Sequence, residues 1–305
     1  MIYDSILDLV GNTPMVRLTK LKNHYGLKSD VIVKLESFNP AGSAKDRVAL
    51  KMIDDFEKSG LLKSGATIIE ATSGNTGIGL GLVARARGYR LILTMPDTMS
   101  AERIAMLKAY GAEVVLTDGR DGMSGAVKRA EELHSEIEGS VIASQFGNIS
   151  NPNAHYETTA VEIYGDTRGD IDYFIAGVGT GGTISGVGKY LKEKDKSIKV
   201  VAVEPRSSAV LSGGQSGMHK IQGIGAGFVP DTLDMSVVDE IYAVSDEDAY
   251  MTTKALMEIE GIFAGISSGA ALHTAISIAR EVADKQIVVI LPDSGDRYLS
   301  LGLYD

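Results

Sequence analysis

Short apolar runs alternate with longer amphipathic stretches from residue 31 onward, and this alternation limits the possible folds more than any other feature. Within each run the apolar residues are mostly consecutive, which is typical of strands buried on both faces of a parallel sheet. The order of strands and helices therefore predicts an α/β fold with right-handed crossovers. The predicted strands are Val31–Leu35, Thr67–Ala71, Arg90–Met95, Glu113–Thr117, Tyr173–Val178, Lys199–Glu204, Glu240–Val244 and Gln286–Leu291.

Helix and loop signals complete this outline. One helix is predicted to start near Asp46, and another covers Ala101–Tyr110 and stops at Gly111. The segment Phe146–Asn153 is rich in turn-forming residues and indicates a domain border. The segment Arg206–Ser236 contains six glycines and little periodicity, which indicates a long functional or mobile loop.

Composition excludes several classes of protein. The chain has 305 residues, a net charge of −10 and no cysteine. Disulfides, thiolate metal sites and a cysteine nucleophile are therefore excluded, and the acidic balance argues against nucleic-acid binding. The five histidines lack metal-ligand spacing, so no metal site is expected. We find neither a signal sequence nor a membrane-spanning run, and we expect a soluble cytoplasmic protein of about two domains.

The first of three glycine-rich turns, Gly177–Thr183, follows a predicted strand and precedes a helix. Backbone N–H groups at such a helix start can hold a phosphate. The glycines match the dinucleotide pattern G-x-G-x-x-G, and Glu204 follows at the spacing of a ribose-binding acid. The hydroxyls of Thr180 and Thr183 equally suit the compact phosphate of a monophosphate cofactor. A tight turn without a ligand is the third interpretation.

The other two glycine-rich turns also precede helices. Ala71–Gly77 presents three hydroxyls and an amide, which indicates either a carboxylate or phosphate receptor or a group of helix caps. Gly265–Gly269 matches the nucleophile elbow of hydrolases by its letters. However, His273 is the only histidine after Ser267 and no acid lies between them, which excludes that triad. Ser267 is instead predicted to cap a helix over Ala270–Ala283, with its hydroxyl available to a ligand.

One lysine stands at an unfavourable position. Within Asn39–Arg47, Lys45 follows a Pro/Gly turn and starts the predicted helix near Asp46. The positive end of a helix dipole disfavours an ammonium group. This position is expected to lower the pKa of Lys45, which suits an amine that forms imines and acts as a base.

Eight segments, taken in chain order, resemble the pyridoxal-phosphate-dependent cysteine synthase family, the O-acetylserine sulfhydrylases of fold type II. Each segment alone is a weak signal, whereas eight in order across essentially the whole chain are specific. They are Gly11–Arg17, Asn39–Arg47, Thr72–Gly77, Met95–Ser100, Gly177–Thr183, Gly223–Pro230, Gly265–Gly269 and Leu291–Tyr298.

The resemblance implies two domains, each with a mostly parallel twisted sheet flanked by helices, and pyridoxal 5′-phosphate in the cleft between them, as in the tryptophan synthase β-like fold. The larger domain, residues 1–38 and 150–305, would bind the cofactor phosphate. The smaller mobile domain, residues 39–149, would carry the cofactor lysine and the loop that binds the substrate carboxylate.

The resemblance also implies roles for individual residues. Lys45 would be catalytic and hold the cofactor as an internal aldimine, while Asn75 would contact its ring hydroxyl and Ser267 its pyridine nitrogen. The residues implied for the cofactor phosphate are Gly179, Thr180, Gly181, Gly182 and Thr183. Those implied for the substrate are Thr72, Ser73, Gly74, Asn75, Thr76, Gln145 and Gly223.

The implied reaction is β-replacement, in which O-acetyl-L-serine and sulfide give L-cysteine through an aminoacrylate. Two alternatives keep the cofactor: a cystathionine β-synthase-like reaction and the release of sulfide from cysteine. A nicotinamide-dependent dehydrogenase built on the Gly177–Gly182 turn is the alternative from another class. The resemblance further implies a homodimer that can bind the C-terminal tail of serine acetyltransferase.

Overall fold

The computed structural model describes residues 2–304, apart from the side chains of Glu102 and Leu301. The chain divides into two compact units. Unit 1 contains Met1–Val10 and Lys45–Asn151, and unit 2 contains Gly11–Ala44 and Pro152–Asp305. The last passage from one unit to the other therefore falls within the turn-rich segment Phe146–Asn153.

Helices and strands are numbered in chain order. The strands are β1 Met15–Arg17, β2 Asp30–Leu35, β3 Thr67–Ala71, β4 Arg90–Pro96, β5 Glu113–Thr117, β6 Val141–Ile142, β7 Tyr173–Gly177, β8 Lys199–Pro205, β9 Glu240–Val244 and β10 Gln286–Leu291. The α-helices are α1 Thr19–Tyr25, α2 Lys45–Lys58, α3 Asn75–Arg87, α4 Ala101–Ala109, α5 Gly122–Glu136, α6 Ser150–Ala154, α7 Ala160–Asp166, α8 Gly182–Lys194, α9 Asp246–Glu260 and α10 Ile266–Glu281. A π-helical turn, His155–Thr159, connects α6 to α7.

Each unit is built on its own sheet. Unit 2 has a six-stranded sheet in the order β1-β2-β10-β7-β8-β9, in which β1 alone is antiparallel to its neighbour. Unit 1 has a four-stranded, fully parallel sheet in the order β5-β4-β3-β6. The prediction of an α/β protein with two mostly parallel sheets flanked by helices is confirmed.

The apolar runs are continuous because both faces of the unit 2 sheet are buried. Along β10, Ile287, Val289 and Leu291 belong to one hydrophobic core, whereas Val288 and Ile290 belong to a second core on the other face. Successive side chains of a strand point to opposite faces, so a strand covered on both sides needs apolar residues at every position.

All eight predicted strands are present, with ends within one residue of the prediction. The prediction omitted β1 and β6, which have three and two residues and are too short to show a pattern. The long segment Arg206–Ser236 contains two short 3₁₀ turns and no α-helix or strand, as its composition indicated. Within residues 2–304, no helix is both long and apolar enough to cross a membrane.

Candidate active site

The hydroxyl-rich loop of unit 1 joins the carboxyl end of β3 to the start of α3. Gly74 is the N-cap residue of α3, and it has no side chain with which to cap this helix. The Thr72 hydroxyl accepts a hydrogen bond from the Gly74 N–H at 3.3 Å and so folds the loop back on itself. An uncapped helix start carries partial positive charge, which favours an anionic ligand such as a carboxylate. The N-cap position of α3 is therefore held by Gly74 and by none of the loop's hydroxyl-bearing residues.

The structure brings Gln145 to this loop. The Thr76 hydroxyl donates a hydrogen bond to Gln145 Oε1 at 2.6 Å, and both side chains are buried. This bond fixes the orientation of the Gln145 amide, because an oxygen that faces Thr76 turns the NH₂ group elsewhere. Ser73, Gly74 and Asn75 lie in the same loop and are half-buried.

Lys45 lies next to the same helix. It is the first residue of α2, one position earlier than predicted, and it is half-buried. A methyl group on Gly79 of α3 would lie 2.8 Å from the Lys45 carbonyl oxygen, closer than real Cβ atoms come. The absence of a side chain at Gly79 therefore allows α3 to pack directly against the start of α2.

Glu70 adds a buried carboxylate behind the loop. It lies on β3, is 3% exposed, and accepts hydrogen bonds from the backbone N–H groups of Ser144 (2.7 Å) and Gln145 (3.3 Å). Burial raises its pKa to about 7, and the hydrogen bonds from Ser144 and Gln145 oppose this rise. Glu70 was not among the site residues predicted from the sequence, although it is the one acid in the otherwise uncharged strand β3.

The glycine turn of unit 2 is shaped by close backbone contacts. A methyl group on Gly179 would lie 2.3 Å from the Gly223 carbonyl oxygen. Gly181, the N-cap residue of α8, has φ = +84°, a conformation that favours glycine. Gly181 has no side chain with which to cap α8, and the Thr180 hydroxyl accepts a hydrogen bond from the Gly182 N–H at 3.5 Å. This arrangement suits a compact phosphate group.

The segment beginning at Gly223 lies against this turn. The Gly225 N–H donates to the Val178 carbonyl at 2.9 Å. A methyl group on Gly223 would lie 3.4 Å from Ser267 Oγ. Unit 2 therefore brings together three predicted segments of the chain: the glycine turn, the Gly223 segment and the start of α10.

The prediction for Ser267 needs a correction. α10 begins at Ile266 instead of Ala270 and ends at Glu281, and its N-cap residue is Gly265. Gly265 takes the extended conformation of an N-cap, so the two serines that follow lie inside the first turn. Ser267 is therefore not the helix cap. Its side chain is 2% exposed and its Oγ lies beside Gly223.

Two threonines of the glycine turn have hydrogen-bond partners elsewhere in unit 2. Thr183 Oγ1 lies 3.1 Å from His155 Nε2, and His155 Nδ1 lies 2.9 Å from Thr159 Oγ1. His155 is buried, as expected of a core histidine, yet it also orients a residue of the turn. Thr232 Oγ1 donates to the Thr180 carbonyl. No spacing in the sequence connects Thr183 to His155 or Thr232 to Thr180, which are 28 and 52 positions apart.

The environment of Glu204, the acid expected to bind a ribose, argues against a dinucleotide site. Glu204 is 1% exposed and accepts hydrogen bonds from Leu211 N (2.8 Å), Ser212 N (3.1 Å) and the Ser212 hydroxyl (2.5 Å). The carboxylate therefore anchors the start of the long glycine-rich segment and is not presented to a ribose. Within unit 2, the glycine turn at the start of α8 and the buried Ser267 hydroxyl instead suit a phosphate and a ring nitrogen, the two polar ends of pyridoxal 5′-phosphate. In unit 1, Lys45 at the start of α2 is an amine of the kind that binds an aldehyde.

Comparisons with known proteins agree with this chemistry. The family model described as pyridoxal-phosphate dependent enzyme matches residues 6–293. A cysteine synthase of Staphylococcus aureus (strain Mu50 / ATCC 700699) is 50% identical over 303 residues, which cover 99% of this chain and 97% of that protein.

Two solved structures have the same fold over nearly their whole length. A cysteine synthase from Entamoeba histolytica is 46% identical with a TM-score of 0.96, covering 100% of this chain and 91% of that chain. A hydrogen sulfide-producing enzyme from Fusobacterium nucleatum is 46% identical with a TM-score of 0.94, covering 98% of each chain. These matches confirm the resemblance inferred from the sequence motifs. With the family model spanning most of its length and a relative at half identity, the chain belongs to the family of pyridoxal-phosphate-dependent enzymes.

Proposed function

We propose that this protein makes L-cysteine from O-acetyl-L-serine and sulfide by β-replacement, with release of acetate. The observation that carries the proposal is the packing of α2 on α3 through Gly79. This packing holds Lys45, at the start of α2, against the helix that follows the Thr72–Thr76 loop. An amine that removes a Cα proton and a receptor for the α-carboxylate must act on the same amino acid. Cysteine synthases among the similar proteins support this choice of reaction.

Each predicted site residue has a proposed task. The pyridoxal cofactor, when bound, supplies an electron-withdrawing ring that makes the substrate Cα–H acidic. Lys45 Nζ binds the cofactor aldehyde and accepts the Cα proton. The α8 start with Thr180 and Thr183 binds the phosphate, and Ser267 donates a hydrogen bond to the ring nitrogen. The loop residues Thr72, Ser73, Gly74, Asn75 and Thr76, with Gln145, orient the α-carboxylate. Asn75 also contacts the ring hydroxyl of the cofactor, and Gly223 lies on the amino side.

The proposed contact of Ser267 with the ring nitrogen affects whether β-substituent loss or transamination is favoured. A serine hydroxyl donates a hydrogen bond to a ring nitrogen but supplies no countercharge, so it favours an unprotonated nitrogen. This limits negative charge build-up in the ring and favours loss of a β-substituent over transamination. The proposed β-replacement depends on that preference.

The deciding experiment is a substrate panel on the purified protein. O-acetylserine, serine, O-phosphoserine and cysteine are each combined with sulfide and with homocysteine, and the products are identified by mass. We expect cysteine from O-acetylserine and sulfide to form fastest. A panel in which this pair gives no cysteine would disprove the proposal. The protein should also be yellow and lose its visible absorption band on borohydride reduction, whereas a nicotinamide enzyme would not.

Release of sulfide from cysteine is the second candidate. It is favoured by the similarity to the Fusobacterium nucleatum enzyme, whose identity to this chain equals that of the Entamoeba histolytica cysteine synthase. In this reaction the same lysine removes the Cα proton and the leaving group is sulfide. Incubation with cysteine alone, read by lead acetate, separates the two candidates, because faster sulfide release than cysteine synthesis would favour the second.

Three further proposals concern the oligomeric state, a protein partner and the cellular location. We propose a homodimer, supported by the exposed apolar side chains of Ile2, Ile6 and Leu9 near the N-terminus. Analytical ultracentrifugation tests the homodimer.

We also propose that the C-terminal tail of serine acetyltransferase binds where the substrate carboxylate does, and competition of the tail peptide with the amino acid tests this. We further propose that the protein is cytoplasmic, which cell fractionation tests.

A further inference from the structure

The carboxylate of Glu70 joins two segments of unit 1 that are far apart in the sequence. Its two oxygens accept the N–H groups of consecutive residues, one bond each to Ser144 and Gln145. The opposite side of the same turn is also held, because Asn151 Nδ2 donates to the Gln145 carbonyl at 2.8 Å. The backbone of Gln145 is therefore fixed on both its N–H and its C=O side.

Ser144 shows why this turn needs a fixed acceptor. It has φ = +55°, a left-handed conformation that is uncommon for a residue other than glycine. Such a conformation persists only where the surroundings enforce it. The hydrogen bond from the Ser144 N–H to the Glu70 carboxyl at 2.7 Å supplies one such constraint.

A second observation concerns the free-energy cost of burying the Glu70 carboxylate. Glu70 is almost completely buried, and its neighbours on β3 and β4, Ile69 and Leu93, are apolar. Burying a carboxylate is unfavourable unless hydrogen bonds compensate, and here burial raises its pKa to about 7. An apolar residue or an amide at this strand position would avoid that cost, but neither would offer the turn two acceptor oxygens.

We propose that Glu70 is a positioning residue that acts through Gln145. By accepting the N–H groups of Ser144 and Gln145, it sets the backbone from which the Gln145 side chain reaches Thr76 and the carboxylate-binding loop. This inference rests on the proposed function, in which Gln145 helps to bind the α-carboxylate of the amino-acid substrate.

The test is a double-mutant cycle with Glu70→Gln and Gln145→Ala. Glutamine keeps the shape of Glu70 but offers one acceptor oxygen, so one of the two N–H groups faces an NH₂ group. We expect kcat/KM for the amino acid to fall roughly tenfold in each single variant, with kcat/KM for sulfide nearly unchanged. Because Glu70 acts through Gln145, adding Glu70→Gln to Gln145→Ala should cause no further loss.

A matched control separates positioning from a general loss of stability. Thr94 lies on β4 beside β3, is fully buried, and donates its hydroxyl to the Ala126 carbonyl at 2.7 Å. Thr94→Val removes a buried hydrogen bond from the same sheet but leaves the turn untouched. It should lower the melting temperature while keeping kcat/KM for the amino acid at the wild-type value.

Hydrogen exchange of the cofactor-free protein provides a readout that needs no turnover. In Glu70→Gln, the amides of residues 143–148 should exchange faster, whereas in Thr94→Val they should not. Glu70→Asp retracts the carboxylate by one methylene and should show the same effects. This variant replaces Glu70→Gln in the test if Glu70→Gln does not fold.

The outcomes are distinguishable. Additive losses in the double variant, or exchange that stays as in wild type, would overturn the role of Glu70. Wild-type protein that gives no β-replacement, together with faster exchange in Glu70→Gln, would overturn the proposed function and leave the role of Glu70 in the turn intact.

Discussion

Lys45 is the first residue of α2 and is half-buried, so its side chain contributes little to packing. We expect Lys45→Ala to fold with a melting temperature close to wild type and to lose turnover by roughly a thousandfold or more, because the base is absent. Borohydride should no longer link the cofactor to the protein, as checked by mass spectrometry. Lys51→Ala on the same helix, which removes the 3.2 Å ion pair with Asp55, is the control and should keep full activity. Covalent trapping of the cofactor in Lys45→Ala would contradict the assignment.

Ser267 and Ser268 are adjacent, buried serines that allow a matched comparison. Because Gly265 is the N-cap residue, Ser267→Ala should cost little stability. Losing one hydrogen bond to the cofactor ring should shift the visible absorption band and slow turnover severalfold. Ser268 Oγ has no hydrogen-bond partner among the residues that the structure describes, so Ser268→Ala should change neither property. Equal spectra for Ser267→Ala and wild type would contradict a ring contact.

At the scale of elements, the packing of α3 on α2 depends on Gly79. In Gly79→Ala the new methyl group would meet the Lys45 carbonyl oxygen at 2.8 Å and the Ala49 side chain at 3.2 Å. A backbone atom cannot move aside cheaply, so we expect a stability loss of about 1–3 kcal/mol and a displaced Lys45. Turnover should fall together with the melting temperature.

Gly165 provides the control for that substitution. It lies in α7, and a methyl group there would meet no atom within 4 Å. Gly165→Ala should therefore stabilise the protein by up to about 1 kcal/mol through helix propensity and leave turnover unchanged. If the two substitutions change the melting temperature and turnover equally, the close contact between Gly79 and Lys45 is not what limits substitution at Gly79.

The sequence predicted elements better than contacts. Eight strands of the two sheets could be predicted from consecutive apolar residues, and the turns Ala71–Gly77 and Gly177–Thr183 were placed correctly between a strand and a helix. The start of α10 could not, because Ser267 is a good cap by type and only the backbone of Gly265 shows which residue caps. The contact from Glu70 to the Ser144–Gln145 turn was also beyond prediction, since it joins residues over 70 positions apart that form no local pattern.

At the scale of the whole molecule, Glu70 makes stability depend on pH. Its pKa is raised from 4.5 to about 7 in the folded protein, so the folded state binds this proton more tightly than the unfolded state. The contribution of Glu70 to the free energy of unfolding is therefore most favourable below about pH 4.5 and falls as pH rises to about 7. The total change is about 3 kcal/mol.

Glu70→Gln removes this titration. We expect the stability of wild type relative to Glu70→Gln to decrease between pH 5 and 7 and to stay constant above pH 8, as measured by urea unfolding. Contributions from the other titrating groups cancel in this difference. Thr94→Val should show a difference from wild type that does not vary with pH. A wild-type advantage that grows toward pH 8 would contradict the raised pKa.

The position of β10 determines when unit 2 can be completed during synthesis. This strand lies between β2 and β7 in the six-stranded sheet, although it is the last strand of the chain. All residues of unit 1 have been synthesised by Asn151, so its sheet can form while the ribosome is still translating. The apolar residues of β2 instead remain without their parallel partner until unit 1 and the other strands of unit 2 have been made. Newly made chains should therefore expose an incomplete unit 2 sheet until β10 emerges.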